Sequence, residues 1–147
     1  MDLIEIIEPT IEKPGSLWLG SAIDEIGIDQ IIVHKIDVVI DLNSKFDPSR
    51  LAAIIQEYVY CPILDLLFLS PINCPKLDRA ASYGFKAWED GLSVLVHCSK
   101  GHNRSALVVG LILIKMGMSG KDAVRLIMEK RPEAFSNHKF REYLEGL

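Results

Sequence analysis

Residues 92–116 of this chain read LSVLVHCSKGHNRSALVVGLILIKM and carry its strongest indication of a fold. Its start, Leu92 to Val96, is short and mostly apolar, a pattern that favours a buried β-strand. Its end, Asn103 to Met116, predicts a helix that Gly117 stops, and the run Ala106 to Ile114 within it is apolar on every face, as expected inside the protein. The stretch therefore predicts a strand that passes through a short loop into a buried helix.

The loop in this stretch has the composition of an anion site. A short loop that ends at a helix N-terminus turns several backbone N–H groups toward one point and adds the positive end of the helix dipole. Such a loop cradles phosphate, and the same field stabilises the thiolate of Cys98 as a nucleophile. The planar guanidinium of Arg104 can hold two phosphate oxygens at once. Gly101 allows a positive φ, and the hydroxyl of Ser105 can donate to the cysteine sulfur.

Further apolar runs predict the other strands of a sheet. They are Leu3 to Ile7, Leu17 to Leu19, Val38 to Leu42 and Tyr58 to Leu64, with Ser93 to Val96 as the strand before the loop. Several are too apolar throughout to be half exposed, which indicates a sheet covered on both faces.

Helix signals separate these strands and follow the last one. Capping residues, prolines and glycines predict helices over Asp24 to His34, Pro48 to Glu57 with Asp47 as N-cap, Pro75 to Asp90, Gly120 to Lys130 and Asn137 to Leu144. Ser119 and Asp122 form the pattern of a capping box before the fourth of these helices.

Composition narrows the class of protein. Hydrophobic residues make up 49% and charged residues 24% of 147 residues, without a linker or low-complexity tract, so one domain over residues 1–147 is expected. Three cysteines without paired spacing argue against a disulfide framework and a four-ligand zinc site, and favour a reducing, cytoplasmic setting.

A net charge of −4 offers no general field for nucleic acid, so no stable nucleic-acid complex is expected. The longest apolar run, Ala106 to Ile114, is too short to span a membrane.

At this point the sequence resembles the dual-specificity branch of the protein tyrosine phosphatases. That family's signature, H-C-x-x-G-x-x-R-S/T, is matched in full by residues 97–105, and Leu17 to Ala22 and Val38 to Asn43 are similar to its early strands. The resemblance implies an α/β fold with a central mixed, mainly parallel sheet flanked by helices. It also implies hydrolysis of phosphomonoesters through a phosphocysteine, with phosphorylated proteins as substrates and without a metal or cofactor.

The resemblance assigns roles to individual residues. Cys98 is the nucleophile, His97 orients the loop, and Asp65, 33 residues before Cys98, is the general acid and then the base. Ser105 assists the cysteine sulfur. The residues implied in phosphate binding are Ser99, Lys100, Gly101, His102, Asn103 and Arg104.

Several alternatives remain open at the level of sequence. Cys98 viewed alone would be a buried core thiol, and Asp78 and Asp90 compete with Asp65 by distance but fall in a helical segment. Lys100 and His102 are either incidental surface residues or side chains that favour substrates with more than one phosphate, such as phosphoinositides or RNA 5′-triphosphate ends. A phosphate-binding adaptor without activity is a rival of another class. The oligomeric state is not predicted.

Overall fold

The computed structural model describes residues 1–43, 46–64 and 75–147. In these residues a five-stranded sheet has the order β1-β2-β5-β3-β4. The strands are β1 Leu3–Ile7, β2 Leu17–Gly20, β3 Val38–Asp41, β4 Glu57–Tyr60 and β5 Val94–His97. β1 runs antiparallel to β2, and every other neighbouring pair is parallel. The prediction of a mixed, mainly parallel sheet flanked by helices is confirmed.

The described residues also contain five α-helices. They are α1 Glu25–Val33, α2 Pro75–Glu89, α3 Arg104–Lys115, α4 Gly120–Lys130 and α5 His138–Glu145. Each lies within one or two residues of a predicted helix. The hydroxyl of Ser119 accepts the N–H of Asp122 at 3.1 Å, as the capping box predicts for the start of α4. No helix in this part of the chain is long and apolar enough to cross a membrane.

The helix predicted over Pro48 to Glu57 is wrong. Asp47 does cap a helical turn by accepting the N–H of Ser49 at 3.0 Å, but the turn is a 3₁₀ helix that covers only Pro48–Arg50. The N–H groups of Gln56 and Glu57 both donate to the carbonyl of Asp37, at 2.8 and 3.2 Å. Pairing with the edge of the sheet therefore replaces the last turns of the predicted helix.

The strand predicted over Tyr58 to Leu64 is displaced toward the N-terminus. β4 begins at Glu57 and ends at Tyr60. Cys61 and Ile63 still donate to the end of β3 and to Leu42, at 2.8 and 3.1 Å, but Pro62 between them has no N–H to donate. Regular pairing consequently stops at Tyr60.

Side chains of the central strands alternate between two hydrophobic cores, as a sheet covered on both faces requires. Val38 and Ile40 of β3 belong to the larger core, which α2, α3, α4 and α5 complete, whereas Val39 packs with Trp18 and Ile31 on the face of α1. All residues of α3 from Ser105 to Gly110 are buried. The sheet and this interior helix hold the loop between them in place.

Candidate active site

The loop between β5 and α3 lies at the carboxyl end of the central strand of the sheet, between the ends of β2 and β3. Ligands of parallel sheets bind at this edge. The N–H of Cys98 donates to the carbonyl of Gly20 at 3.2 Å, and the Cys98 residue is only 2% exposed. The cysteine is thus anchored to the neighbouring strand at the base of the loop.

Gly101 lies where a side chain would not fit. Its φ is +71°, a value that favours glycine. A Cβ at this position would lie 3.0 Å from the backbone of Gly20 and 3.1 Å from the nitrogen of Ser21. The turn after β2 therefore packs directly on the loop, and only glycine permits that approach.

Ser105 is fully buried at the start of α3, and its hydroxyl oxygen lies 3.3 Å from the sulfur of Cys98. A hydroxyl at that distance can donate to a thiolate. The structure therefore brings together the cysteine and the serine of the motif, which lie seven residues apart in the chain.

Arg104 is held on one side by groups from two other segments. Its Nη1 atom donates to Oδ1 of Asn43 at 3.0 Å and to the carbonyl of Ile63 at 3.2 Å. Its Nε atom is buried and has no hydrogen-bond partner among the described residues. One edge of the guanidinium is therefore anchored, and a second edge keeps a donor for an anion. Asn43 was not predicted as a site residue, although it ends the matched stretch Val38 to Asn43.

The loop surrounds a cavity of about 210 Å³. Its lining combines the cysteine, the arginine and four further loop residues with one residue from a distant segment: Cys98, Ser99, Lys100, His102, Asn103, Arg104 and Ser136. The volume suits a phosphoryl group with part of its substituent. Six of the residues predicted from the motif are thus brought to one cavity, and Ser136 is an addition that the sequence did not indicate.

Asn103 lines the cavity and also fastens the loop to the segment before α5. Its Oδ1 atom accepts the N–H of Asn137 at 2.8 Å, and its amide exchanges hydrogen bonds with the hydroxyl of Ser136 at 3.0 and 3.1 Å. Asn137 in turn caps α5 by accepting the N–H of Lys139 at 3.2 Å. The cap was predictable from the sequence, but its connection to the loop was not.

His97 is buried beneath the loop, against a second buried polar residue. Its Nε2 atom lies 3.5 Å from Oδ1 of Asp41, and Tyr58 donates its phenolic hydrogen to the other oxygen of that carboxylate. Burial lowers the pKa of His97, and the carboxylate of Asp41 opposes this shift only in part. Burial, together with the hydrogen bond to the same carboxylate, raises the pKa of Tyr58. His97 is therefore a neutral imidazole at neutral pH.

The predicted general acid, Asp65, lies outside the described residues, as does Cys74. Its two competitors both form ion pairs on the surface of α2 or at its end. Asp78 lies 3.4 Å from Nζ of Lys115, and Asp90 lies 2.9 Å from Nζ of Lys86. Neither lines the cavity of the loop.

The chain is thus an α/β domain in which a cysteine after the central strand and an arginine at the start of a helix line one cavity. The family described as "Dual specificity phosphatase, catalytic domain" matches residues 17–145. The chain therefore belongs to the dual-specificity phosphatase catalytic-domain family.

Individual relatives agree with this assignment. Dual specificity protein phosphatase 8 of Homo sapiens is 31% identical over 126 residues, which cover 84% of this chain and 20% of that protein. Protein tyrosine phosphatase type IVA 2 of Mus musculus is 47% identical over 57 residues, 39% of this chain and 34% of that protein. The chain thus spans about a fifth to a third of the length of these two relatives.

Solved structures share the fold. The crystal structure of DUSP15 has a TM-score of 0.75 and 29% identity, and the match covers 93% of this chain and 85% of that one. The crystal structure of PTPMT1 in complex with PI(5)P has a TM-score of 0.72 and 20% identity, and the match covers 88% of each chain. At that identity the second likeness concerns the fold alone.

Proposed function

We propose that the chain hydrolyses phosphomonoesters through a Cys98 phosphocysteine, with phosphorylated proteins as substrates. The observation that carries the proposal is the position of the Cys98 sulfur, 3.3 Å from the buried hydroxyl of Ser105 in a cavity that Arg104 also lines. The dual-specificity family of the chain supports the same reaction. The intact cysteine, arginine and serine argue against an inactive adaptor.

In the first step the thiolate of Cys98 attacks phosphorus, and the bond to the ester oxygen breaks. The loop amides and Arg104 hold the phosphoryl oxygens as charge builds on them. Asp65 gives its proton to the departing alkoxide or phenoxide. The products are a neutral alcohol, a phosphocysteine and an ionised Asp65.

In the second step water attacks the phosphocysteine, and the sulfur–phosphorus bond breaks. Asp65 takes a proton from the water, which restores the acid for the next cycle. Ser105 donates to the sulfur as it leaves and stabilises the thiolate. Inorganic phosphate is released, and neither step needs a metal or a redox partner.

Replacement of the nucleophile tests the proposal. We expect Cys98→Ser to abolish turnover of an aryl phosphate and to retain binding of a phosphotyrosine peptide, because the amides and Arg104 remain. Lys121→Ala, at an exposed position of α4, is the control. Turnover by Cys98→Ser at the wild-type rate would refute the phosphocysteine.

The acid role of Asp65 is tested by leaving-group dependence. We expect Asp65→Ala to slow hydrolysis of alkyl phosphates by about 10²–10⁴-fold, the usual contribution of general-acid catalysis. Aryl phosphates with acidic phenols, which leave without a proton, should be affected less. An equal loss on both substrates would contradict the role.

A second class of substrate is favoured by one observation. Lys100, which is exposed, and His102 both line the cavity and can face additional phosphates. Release of phosphate from phosphotyrosine and phosphothreonine peptides, phosphoinositides and triphosphate-ended RNA, measured side by side, decides between the classes. A reduced thiol is needed in every case, so a reducing cytoplasmic compartment suits the reaction.

A further inference from the structure

The segment from Arg131 to Asn137, between α4 and α5, contacts the phosphate-binding loop, and its Ser136 also lines the cavity. Nη2 of Arg131 donates to the carbonyl of Lys100 at 2.9 Å, and the N–H of Phe135 donates to the carbonyl of His102 at 2.8 Å. These donors come from a part of the chain outside the signature motif. Their targets are carbonyls of the loop that forms the cavity.

Holding a carbonyl also sets the direction of an amide. In a trans peptide the N–H of the next residue points opposite to the carbonyl. The N–H of Gly101 therefore points away from Arg131, which holds the carbonyl of Lys100, and the N–H of Asn103 points away from the N–H of Phe135, which holds the carbonyl of His102. Within the described residues the N–H groups of Ser99 to His102 donate to no backbone carbonyl. These are the amides that an anion in the cavity would need.

Arg131 stands out in this segment because its charge is buried. The residue is only 6% exposed, its Nη2 also lies 3.5 Å from a carboxylate oxygen of Asp2, and its Nε has no hydrogen-bond partner among the described residues. A buried guanidinium with so few partners is unfavourable for folding. Groups that violate the rules of folding in this way concentrate at functional sites.

We propose that Arg131 is a positioning residue for the phosphate-binding loop, a role that rests on the proposed function of that loop. It acts through the Lys100–Gly101 peptide. Its hydrogen bond fixes the orientation of that peptide and polarises it, which strengthens the N–H of Gly101 as a donor to the phosphoryl group. Arg131 itself does not touch the substrate.

The test compares full-length wild-type protein with Arg131→Met, Arg131→Lys and the control Arg125→Met. Arg125 lies on α4, the helix that ends at the residue before Arg131, and its side chain is 68% exposed and paired with Asp122. Tungstate serves as the probe, because it is an oxyanion that needs no turnover. Its dissociation constant is measured by calorimetry, and the amide resonances of Gly101 and Asn103 are followed by NMR.

We expect Arg131→Met to weaken tungstate binding by about 10-fold or more, as loss of a charge-assisted hydrogen bond implies. The tungstate-induced shift of the Gly101 amide should shrink, and KM for an aryl phosphate should rise by a similar factor. Arg131→Lys, which keeps the charge but not the planar fork, should fall between wild type and Arg131→Met. Arg125→Met should bind tungstate like wild type.

Wild-type tungstate affinity in folded Arg131→Met, or an unchanged shift of the Gly101 amide, would overturn the proposal. If Arg131→Met does not unfold cooperatively, Arg131→Lys decides: a loss of affinity beyond that of Arg125→Met supports the role, and none overturns it. Failure of the proposed function is seen separately. In that case the wild-type protein binds tungstate but hydrolyses none of the phosphate esters.

Discussion

The hydroxyl oxygen of Ser105 lies 3.3 Å from the sulfur of Cys98, with both residues buried at the junction of β5 and α3. The relationship depends on the loop folding back on itself, so that the first turn of the helix meets the end of the strand. A donor at this point stabilises a thiolate each time it forms. The second half of the proposed reaction depends on that event.

Ser105→Ala is therefore expected to slow hydrolysis of the phosphocysteine more than its formation. A hydrogen bond to a charged group contributes about 1.5–3 kcal/mol, so kcat should fall by about 10- to 100-fold. Rapid-quench kinetics with an aryl phosphate should then show a burst of phenol. Ser105→Thr, which keeps the hydroxyl, should restore most of kcat, and a steady state without a burst in Ser105→Ala would contradict the assignment.

Asn43 is expected to determine how well Arg104 is placed for the phosphoryl group. Its side-chain oxygen accepts a hydrogen bond from Nη1 of Arg104 at 3.0 Å, and its backbone N–H donates to the carboxylate of Asp41 at 2.9 Å. Asn43→Ala removes the acceptor, and we expect kcat/KM for an aryl phosphate to fall by about 10-fold, the effect of one hydrogen bond to a charged group. Asn43→Asp is the matched variant, because it keeps an acceptor. Wild-type kcat/KM in Asn43→Ala would show that Ile63 alone suffices.

Gly101→Ala should lower both stability and phosphate binding, through backbone strain and through a steric clash, and a control variant separates these two causes. The φ of +71° is strained for alanine by about 1–2 kcal/mol, and the added Cβ would lie 3.0 Å from the backbone of Gly20. Gly117 also has a positive φ, +111°, but a Cβ there would have nothing within 4 Å. Both variants should lose stability in urea denaturation, and only Gly101→Ala should lose phosphate binding. Equal phosphate affinity in the two variants would contradict the close approach.

His97 predicts a pH dependence of stability. Burial lowers its folded-state pKa below the unfolded value of about 6.5, against the opposing effect of Asp41. As pH falls, the unfolded chain therefore binds a proton at this histidine before the folded chain does. The stability that the neutral buried ring contributes is fully present above pH about 6.5, and it is lost as pH falls toward the folded-state pKa. The slope for one such group reaches about 1.4 kcal/mol per pH unit.

Urea denaturation between pH 7.5 and 5.5 checks this slope. His97→Gln should be less stable than wild type at pH 7.5, but its stability should fall less steeply on acidification. His138→Gln removes an exposed imidazole at the start of α5 and is the control. Identical slopes in His97→Gln and wild type would refute a buried neutral histidine.

Local patterns predicted most of the elements, and the one helix that was wrongly predicted has an identifiable cause. The stretch from Leu92 to Met116 was predicted from its own residues, because its two apolar runs favour an interior strand and an interior helix. The segment after Asp47 has the cap and the proline of a helix start, yet the N–H groups at its end donate to the carbonyl of Asp37, the residue before β3. A helix predicted from local sequence therefore fails to form where its backbone N–H groups pair with an edge of the sheet instead.

The chemistry proposed for the loop rests on the sequence, which has a cysteine, a glycine, an arginine and a serine at spacings that suit a strand-to-helix turn. Tertiary structure alone decided which groups hold that loop in place. Asn43 reaches Arg104 from 61 residues away, and Arg131 reaches the carbonyl of Lys100 from 31 residues away. Such partners leave no periodic or motif signal, because one hydrogen bond between distant segments depends on how the whole sheet and its helices pack.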